Sequence, residues 1–120
     1  MPKYVDGFVI RLPKEKVSAY KKMAQLGAKV WMEHGALEYR ECVAEDTEIP
    51  YCKSFTQLTR AKAEETVVFA WILYRNKKHR DLVNKRVMAD PRMQIPPTGM
   101  PFDPKNMVFS GFEVLVEKTQ

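Results

Sequence analysis

The chain has 120 residues, 45% of them hydrophobic and 29% charged, with 20 Lys and Arg against 15 Asp and Glu for a net charge of +5. That length suits one domain, 1–120, and that composition excludes a disordered tail. The longest apolar run, Val67–Tyr74, is far short of the roughly 20 residues of a membrane span, and no apolar core follows Met1-Pro2-Lys3, so neither a membrane protein nor a signal peptide is expected and the protein is placed in the cytoplasm.

Residues 3–12 are rich in β-branched and aromatic types and stop at Pro13, which predicts a strand. From Lys14 to His34 the period changes: Val17, Tyr20, Ala24, Ala28 and Trp31 recur at helical spacing, and Gly35 is a natural left-handed cap. Gly27 inside this helix costs about 1 kcal/mol of propensity relative to Ala, which predicts a close approach of the helix to whatever it packs on. Residues 36–45 form a second strand, with Leu37, Tyr39, Glu41 and Val43 on one face and Glu38, Arg40, Cys42 and Ala44 on the other. Asp46 to Glu65 is too long for a plain loop and is expected to hold a helical turn capped by Ser54 over Phe55–Ala61. Thr66–Tyr74 is a strand apolar on both faces. Asn76 caps a second main helix running to about Ala89, with Val83 and Val87 on its inner stripe, and Asp90-Pro91 ends it. Ile95–Pro104 is an irregular, proline-rich excursion in which Phe102 is an anchor and Arg92 and Asp103 are candidates to pair. Met107–Glu117 is the last strand.

The order β-α-β-β-α-β is the ferredoxin-like split, an α+β fold with two helices on one face of a four-stranded antiparallel sheet. A lone copy should leave its other sheet face polar. Here the third and fourth strands are apolar on both sides, so a homodimer packed sheet to sheet is expected.

The cysteines, Cys42 and Cys52, fit no zinc spacing and are read as reduced thiols, Cys42 buried and Cys52 in a loop. No metal site and no cofactor is expected. Lys77, Lys78, Arg80, Lys85 and Arg86 form a basic patch on the second main helix, read as a solvated face; nucleic acid is disfavoured as a partner because no aromatic platform is interleaved with it. His34 is read as a helix-terminus residue and His79 as solvated. The polar residues on otherwise apolar strands are the candidates for chemistry. Asp6 shares a face with Phe8 and Ile10, and Glu41 with Leu37 and Tyr39. Each is either a general base with a raised pKa or a structural carboxylate, Asp6 then paired with Arg40 or bonded to backbone. Arg40, Trp71 and Glu113 are candidates to line a ligand cleft.

Several strings together resemble one family. They are Tyr4-Val5-Asp6-Gly7-Phe8-Val9, Glu41-Cys42, Glu65-Thr66-Val67-Val68-Phe69-Ala70-Trp71-Ile72, Met88-Ala89-Asp90-Pro91-Arg92-Met93, Met100-Pro101-Phe102-Asp103 and Gly111-Phe112-Glu113. In order and across nearly the whole chain, they look like the YbaA-like family (DUF1428) of small bacterial proteins of unknown function. The chain departs from that pattern at Ser110, at Pro104 and over 46–54. The resemblance implies the dimeric α+β barrel superfamily, which includes cofactor-free monooxygenases, haem-degrading enzymes and lactone isomerases, and it carries no activity with it. Three readings follow: a homodimeric protein binding a small molecule in its helix–sheet cleft, a cofactor-independent oxygenase or isomerase using Asp6 or Glu41 as base, and an RNA-binding protein using the basic second helix.

Overall fold

The computed structural model describes residues 1–94, 96 and 99–120. The elements are β1 (Tyr4–Pro13), α1 (Val17–Glu33), β2 (Glu38–Val43), α2 (Phe55–Thr59), β3 (Glu65–Tyr74), α3 (Lys77–Met88) and β4 (Met107–Glu113), with 3-10 turns at Lys14–Lys16, Pro91–Met93 and Pro104–Asn106. The strands pair antiparallel in the order β2-β3-β1-β4. This is the ferredoxin-like α+β arrangement. The sheet is open, with β2 and β4 as its edges, so one chain by itself closes no barrel.

Register assigns the faces. Tyr4 lies opposite Tyr74, Asp6 opposite Ile72, Phe8 opposite Ala70 and Ile10 opposite Val68, and these residues look towards the helices. Val5, Gly7, Val9 and Arg11 of β1, with Leu73, Trp71, Phe69 and Val67 of β3, point the other way. Helix α1 buries Tyr20, Ala24, Gly27 and Val30, one stripe at helical spacing. It is preceded by the 3-10 turn Lys14–Lys16, whose cap residue Pro13 offers no side-chain acceptor. It ends where Gly35 takes φ +114° and the Ala36 N–H turns back to the Trp31 carbonyl at 3.0 Å.

Two clusters form the core under the helices. One joins Tyr4, Ile72 and Tyr74 of the sheet to Val30 of α1 and to Val83 and Val87 of α3. The other joins Ile10, Leu12, Val68 and Ala70 to Tyr20 and Ala24, and is closed by Phe102, whose ring lies 5.8 Å from that of Tyr20. Phe102 is thus the anchor its sequence context predicts. Residues 95, 97 and 98 of the Ile95–Pro104 stretch lie outside the described residues.

The 46–65 connection does hold a short helix, α2. Ser54 and Gln57 form a reciprocal capping box at its start. It sits on the face away from α1 and α3: the Phe55 ring meets Phe69 edge-on at 5.5 Å, and Arg11 donates to the carbonyls of Thr59 and Arg60. One end of the open face is therefore covered, which explains why Val67 is buried although it points away from α1.

Other expectations need correction. Cys42 is exposed, because it lies on the outer face of an edge strand. Strand β4 stops at Glu113 rather than Glu117, since its partner β1 begins at Tyr4 and only the Val114 N–H to Lys3 carbonyl bond continues the ladder. Arg92 binds Asp90 and Glu33, both at 2.7 Å, while Asp103 caps the turn at Lys105; the two do not pair with each other. His34 does cap the end of α1, with Nε2 2.9 Å from Asp90. His79 is half-buried against the Tyr74 ring, its Nδ1 accepting from the Arg75 N–H, and burial with neighbouring Arg75 and Arg86 holds its pKa below the ordinary value.

Candidate functional site

The helix-facing side of β2 carries a carboxylate held by two phenols. Glu41 lies opposite Ala70, beneath α1. Its Oε1 accepts from the Tyr20 hydroxyl at 2.6 Å, and its Oε2 accepts from the Tyr39 hydroxyl at 2.7 Å. Tyr20 comes from the buried stripe of α1, and Tyr39 precedes Glu41 by one pleat period on the same face. Bonds of this length between a neutral hydroxyl and a carboxylate are charge-assisted. Burial, followed by the bond to Glu41 and its charge, pushes the Tyr20 phenol well above the ordinary tyrosine range; burial, the Glu41 charge and the bond do the same for Tyr39. Both keep their protons throughout the physiological range and go on donating.

This trio stands where two cavities meet. An inner cavity of about 230 Å³ runs between α1, the sheet and the Phe102 segment, lined chiefly by Phe8, Trp31 and Phe102 and by Met23, Met93 and Met100. An outer one of about 450 Å³ opens beside β2, along Val17, Lys21, Gln25, Ala28 and Val43. Tyr20, Ala24, Tyr39 and Glu41 line both. Such a cleft, largely apolar with one convergent polar cluster, has the general form of a small-molecule site.

Gly27 is part of the same construction. A Cβ there would stand 2.9 Å from the Tyr39 hydroxyl oxygen, so the bare backbone makes room for the phenol that binds Glu41, the close approach anticipated from the sequence. Gly27→Ala is expected to lower stability by about 0.5–2 kcal/mol, the displaced charge-assisted bond outweighing the roughly 1 kcal/mol gained in helix propensity. In a Tyr39→Phe background, where the obstructing oxygen is gone, the same substitution is expected to be neutral or stabilising by up to about 1 kcal/mol. A double-mutant cycle by urea denaturation reads the coupling; additive effects would refute this role for Gly27.

Asp6 occupies a separate, sealed position. It is 1% exposed and lines neither of these two cavities. Its Oδ1 accepts from Arg80 Nη1 at 3.1 Å and its Oδ2 from Asn84 Nδ2 at 3.3 Å. Asn84 Oδ1 in turn accepts from Trp31 Nε1 at 3.0 Å and from the Tyr74 hydroxyl at 3.2 Å. The Arg80 guanidinium also lies over the Tyr4 ring, 4.8 Å from its centre. Burial raises the Asp6 pKa against the opposing pull of Asn84 and Arg80. Its partner is therefore Arg80 of α3, not Arg40, which lies on the outer face of the edge strand and pairs with Glu38.

The remaining candidates fall elsewhere. Trp71 stands on the sheet face away from α1, its Nε1 donating to Glu38 at 3.1 Å, so neither it nor Arg40 reaches the helix–sheet cleft. Glu113 is exposed at the end of β4, opposite Tyr4. Of the basic patch, Lys77, Lys78, Lys85 and Arg86 are exposed on α3, whereas Arg80 turns inward to Asp6. Sequence pattern alone gives Tyr20 and Tyr39 no chemical role, although Tyr39 shares its strand face with Glu41 and Tyr20 lies on the buried stripe of α1. Among the described residues, no group of three or more His, Cys, Asp and Glu side chains is placed to hold a metal ion, and no helix is long and apolar enough to cross a membrane.

Comparison with known proteins agrees with the fold and adds the lineage. In solved structures the fold resembles a dimeric ferredoxin-like protein from an uncultured marine organism (TM-score 0.62, 15% identity, covering 98% of this chain and 100% of the other). It also resembles an uncharacterized NIPSNAP domain protein from Burkholderia xenovorans (TM-score 0.63, 18% identity, covering 98% and 99%). In sequence the chain is 42% identical over 116 residues to the uncharacterized protein YbaA of Escherichia coli K12 and equally to that of Shigella flexneri, covering 97% of this chain and 99% of each relative. The model of a protein family of unknown function, DUF1428, matches residues 3–104. With that match and relatives of such length and identity, the chain belongs to the DUF1428 family, alongside YbaA.

Proposed function

We propose that this protein is a homodimer that binds a small molecule in the cleft between α1 and the sheet, against the carboxylate of Glu41. The observation that carries the reading is the meeting of two cavities at one polar cluster, Glu41 held by Tyr20 and Tyr39, in walls otherwise largely aromatic and aliphatic. The exposed apolar sheet face and the dimeric assembly of the similar marine protein support the second copy. Ala24 lines both cavities on the buried stripe of α1. Ala24→Leu fills the passage between them without adding charge. In a panel of small aromatic and aliphatic compounds followed by ligand-observed NMR, binding is expected to wild type and to be lost in Ala24→Leu, with the dimer retained. A panel with no binder sensitive to Ala24 would refute the reading.

An enzyme using this cleft without a cofactor, as an oxygenase or isomerase, is the second reading. Glu41 is the carboxylate that favours it, because it borders both cavities whereas Asp6 is sealed by Arg80 and Asn84. Glu41→Gln would then abolish turnover of a bound compound while leaving its binding measurable. RNA binding by α3 has less support, since Arg80 is engaged by Asp6.

A further inference from the structure

The polar atoms that face the inner cavity differ in a way that restricts what can bind there. Trp31, Tyr20 and Tyr39 each carry a hydrogen that could have been offered to a ligand. All three are engaged: Trp31 Nε1–H by Asn84, and the two phenols by Glu41. The phenol oxygens and the two carboxylate oxygens still hold lone pairs, each carboxylate oxygen having room for a second donor. The cluster is therefore an acceptor-only surface. Among the residues that line the inner cavity, Glu41 is the one with a charged side chain, and that charge is negative. Lys21 borders only the outer cavity, where α1 meets solvent, and Arg80 is held by Asp6 and Asp81. Around the cluster stand the rings of Phe8, Trp31 and Phe102, whose faces attract cations, and the thioethers of Met23, Met93 and Met100, which are polarisable and accommodate irregular apolar shapes.

We infer that the cleft selects a small aromatic or branched apolar amine, its ammonium group donating to Glu41 and the phenol oxygens while its apolar body lies among the rings and thioethers of the inner cavity. A carboxylate of the same size would meet Glu41 as a like charge with no free donor to turn to. A neutral alcohol could donate one bond but would bring no charge. The inference rests on the reading of the cleft as a binding site and adds the class of ligand. The raised pKa values of Tyr20 and Tyr39 support it, since both phenols keep their hydrogens on Glu41 over the range in which a simple amine is charged.

The test uses 2-phenylethylamine, 2-phenylethanol and phenylacetate at pH 7. Trp31 and Trp71 are the tryptophans of the chain, and Trp71 lies on the other sheet face. A Trp71→Phe protein, checked for an unchanged circular dichroism spectrum, leaves Trp31 as the fluorescent reporter inside the cleft. The amine is expected to bind at least about 10-fold more tightly than the alcohol, the ratio for one charge-assisted bond, with phenylacetate weaker still. Glu41→Gln in the same background is expected to bring the amine to within about threefold of the alcohol, with an unchanged circular dichroism spectrum showing that the variant is folded. Equal binding of phenylacetate and amine, or a preference that survives Glu41→Gln, overturns the amine assignment and leaves binding in the cleft intact. No Trp31 response to any of the three at millimolar concentration overturns the assignment too, and the Ala24→Leu panel then decides the broader reading independently.

Discussion

Replacing Arg80 with methionine is expected to destabilise the protein by about 3–5 kcal/mol at pH 7, the cost of leaving a buried charge without its partner. The Asp6 side chain is 2% exposed and that of Arg80 17%, so water cannot take the place of the guanidinium. Only neutral groups would remain for a full negative charge, Asn84 at 3.3 Å from Oδ2 and the neighbouring Tyr74 hydroxyl. The pH dependence follows from the direction of the Asp6 shift. Its folded pKa lies above the unfolded value of 3.8 because burial outweighs Asn84 and Arg80. Between those two values the folded state binds more protons, so the contribution of Asp6 to stability is greatest below the unfolded pKa and is lost as pH rises through the folded one. Removing Arg80 moves the folded value further up and widens that window. The deficit of Arg80→Met is accordingly expected to shrink as pH falls towards 4, where the carboxyl enters the fold neutral. Asp6→Asn, which removes the charge but keeps the shape, is expected to recover most of the loss when combined with Arg80→Met. Urea denaturation at neutral and acid pH reads all three. A loss below about 1 kcal/mol at pH 7, in the range of an exposed pair, would refute the account.

That network also marks where sequence pattern is informative and where it is not. Asp6 is recognisable as a carboxylate inside an apolar strand face, because alternation along β1 puts it between Tyr4 and Phe8. Its partner is hidden by composition: α3 carries so many cations that the one turned inward is submerged in the surface patch. Periodicity does hold the signal, since Arg80, Val83, Asn84 and Val87 follow helical spacing and form a single stripe. The same holds for Tyr20, which reads as core by period and becomes a site residue only because Glu41 lies across from it. Trp71 shows the opposite difficulty. β3 is apolar on both faces, so alternation gives no reason to assign one face to the helices, and only pairing with β1 puts Trp71 on the side of Gly7, away from α1. Cys42 follows from the same parity, one residue out of phase with Glu41. The element order, the Ser54 cap and the tight place at Gly27 were legible because each is local: a period, a cap residue, a missing Cβ.

Phe112→Glu is expected to convert the proposed homodimer to monomer, weakening self-association at least about 100-fold with the fold retained. Every residue of β4 is exposed in the single chain, Val108 at 62% and Phe112 at 55%, and Leu58 at the rim of α2 reaches 68%. Phe112 points to the open face and covers Gly7, where a Cβ would stand 3.1 Å from its ring. With Phe69, Trp71 and Val9 it forms a continuous apolar surface that α2 covers at one end only. In the proposed dimer a two-fold related copy would supply the same rings in return. Leu115 and Val116, at 96% and 82% exposure, run on from β4 past the start of β1, where the described residues offer no strand to pair with them. A glutamate in place of Phe112 puts two like charges into the symmetric contact while facing water in the free chain, so it separates association from folding. Sedimentation equilibrium across the micromolar range, with circular dichroism as the folding control, reads the result. A wild-type chain that is monomeric at those concentrations, or a Phe112→Glu variant that stays dimeric, would mean that the sheet face is not where two copies meet.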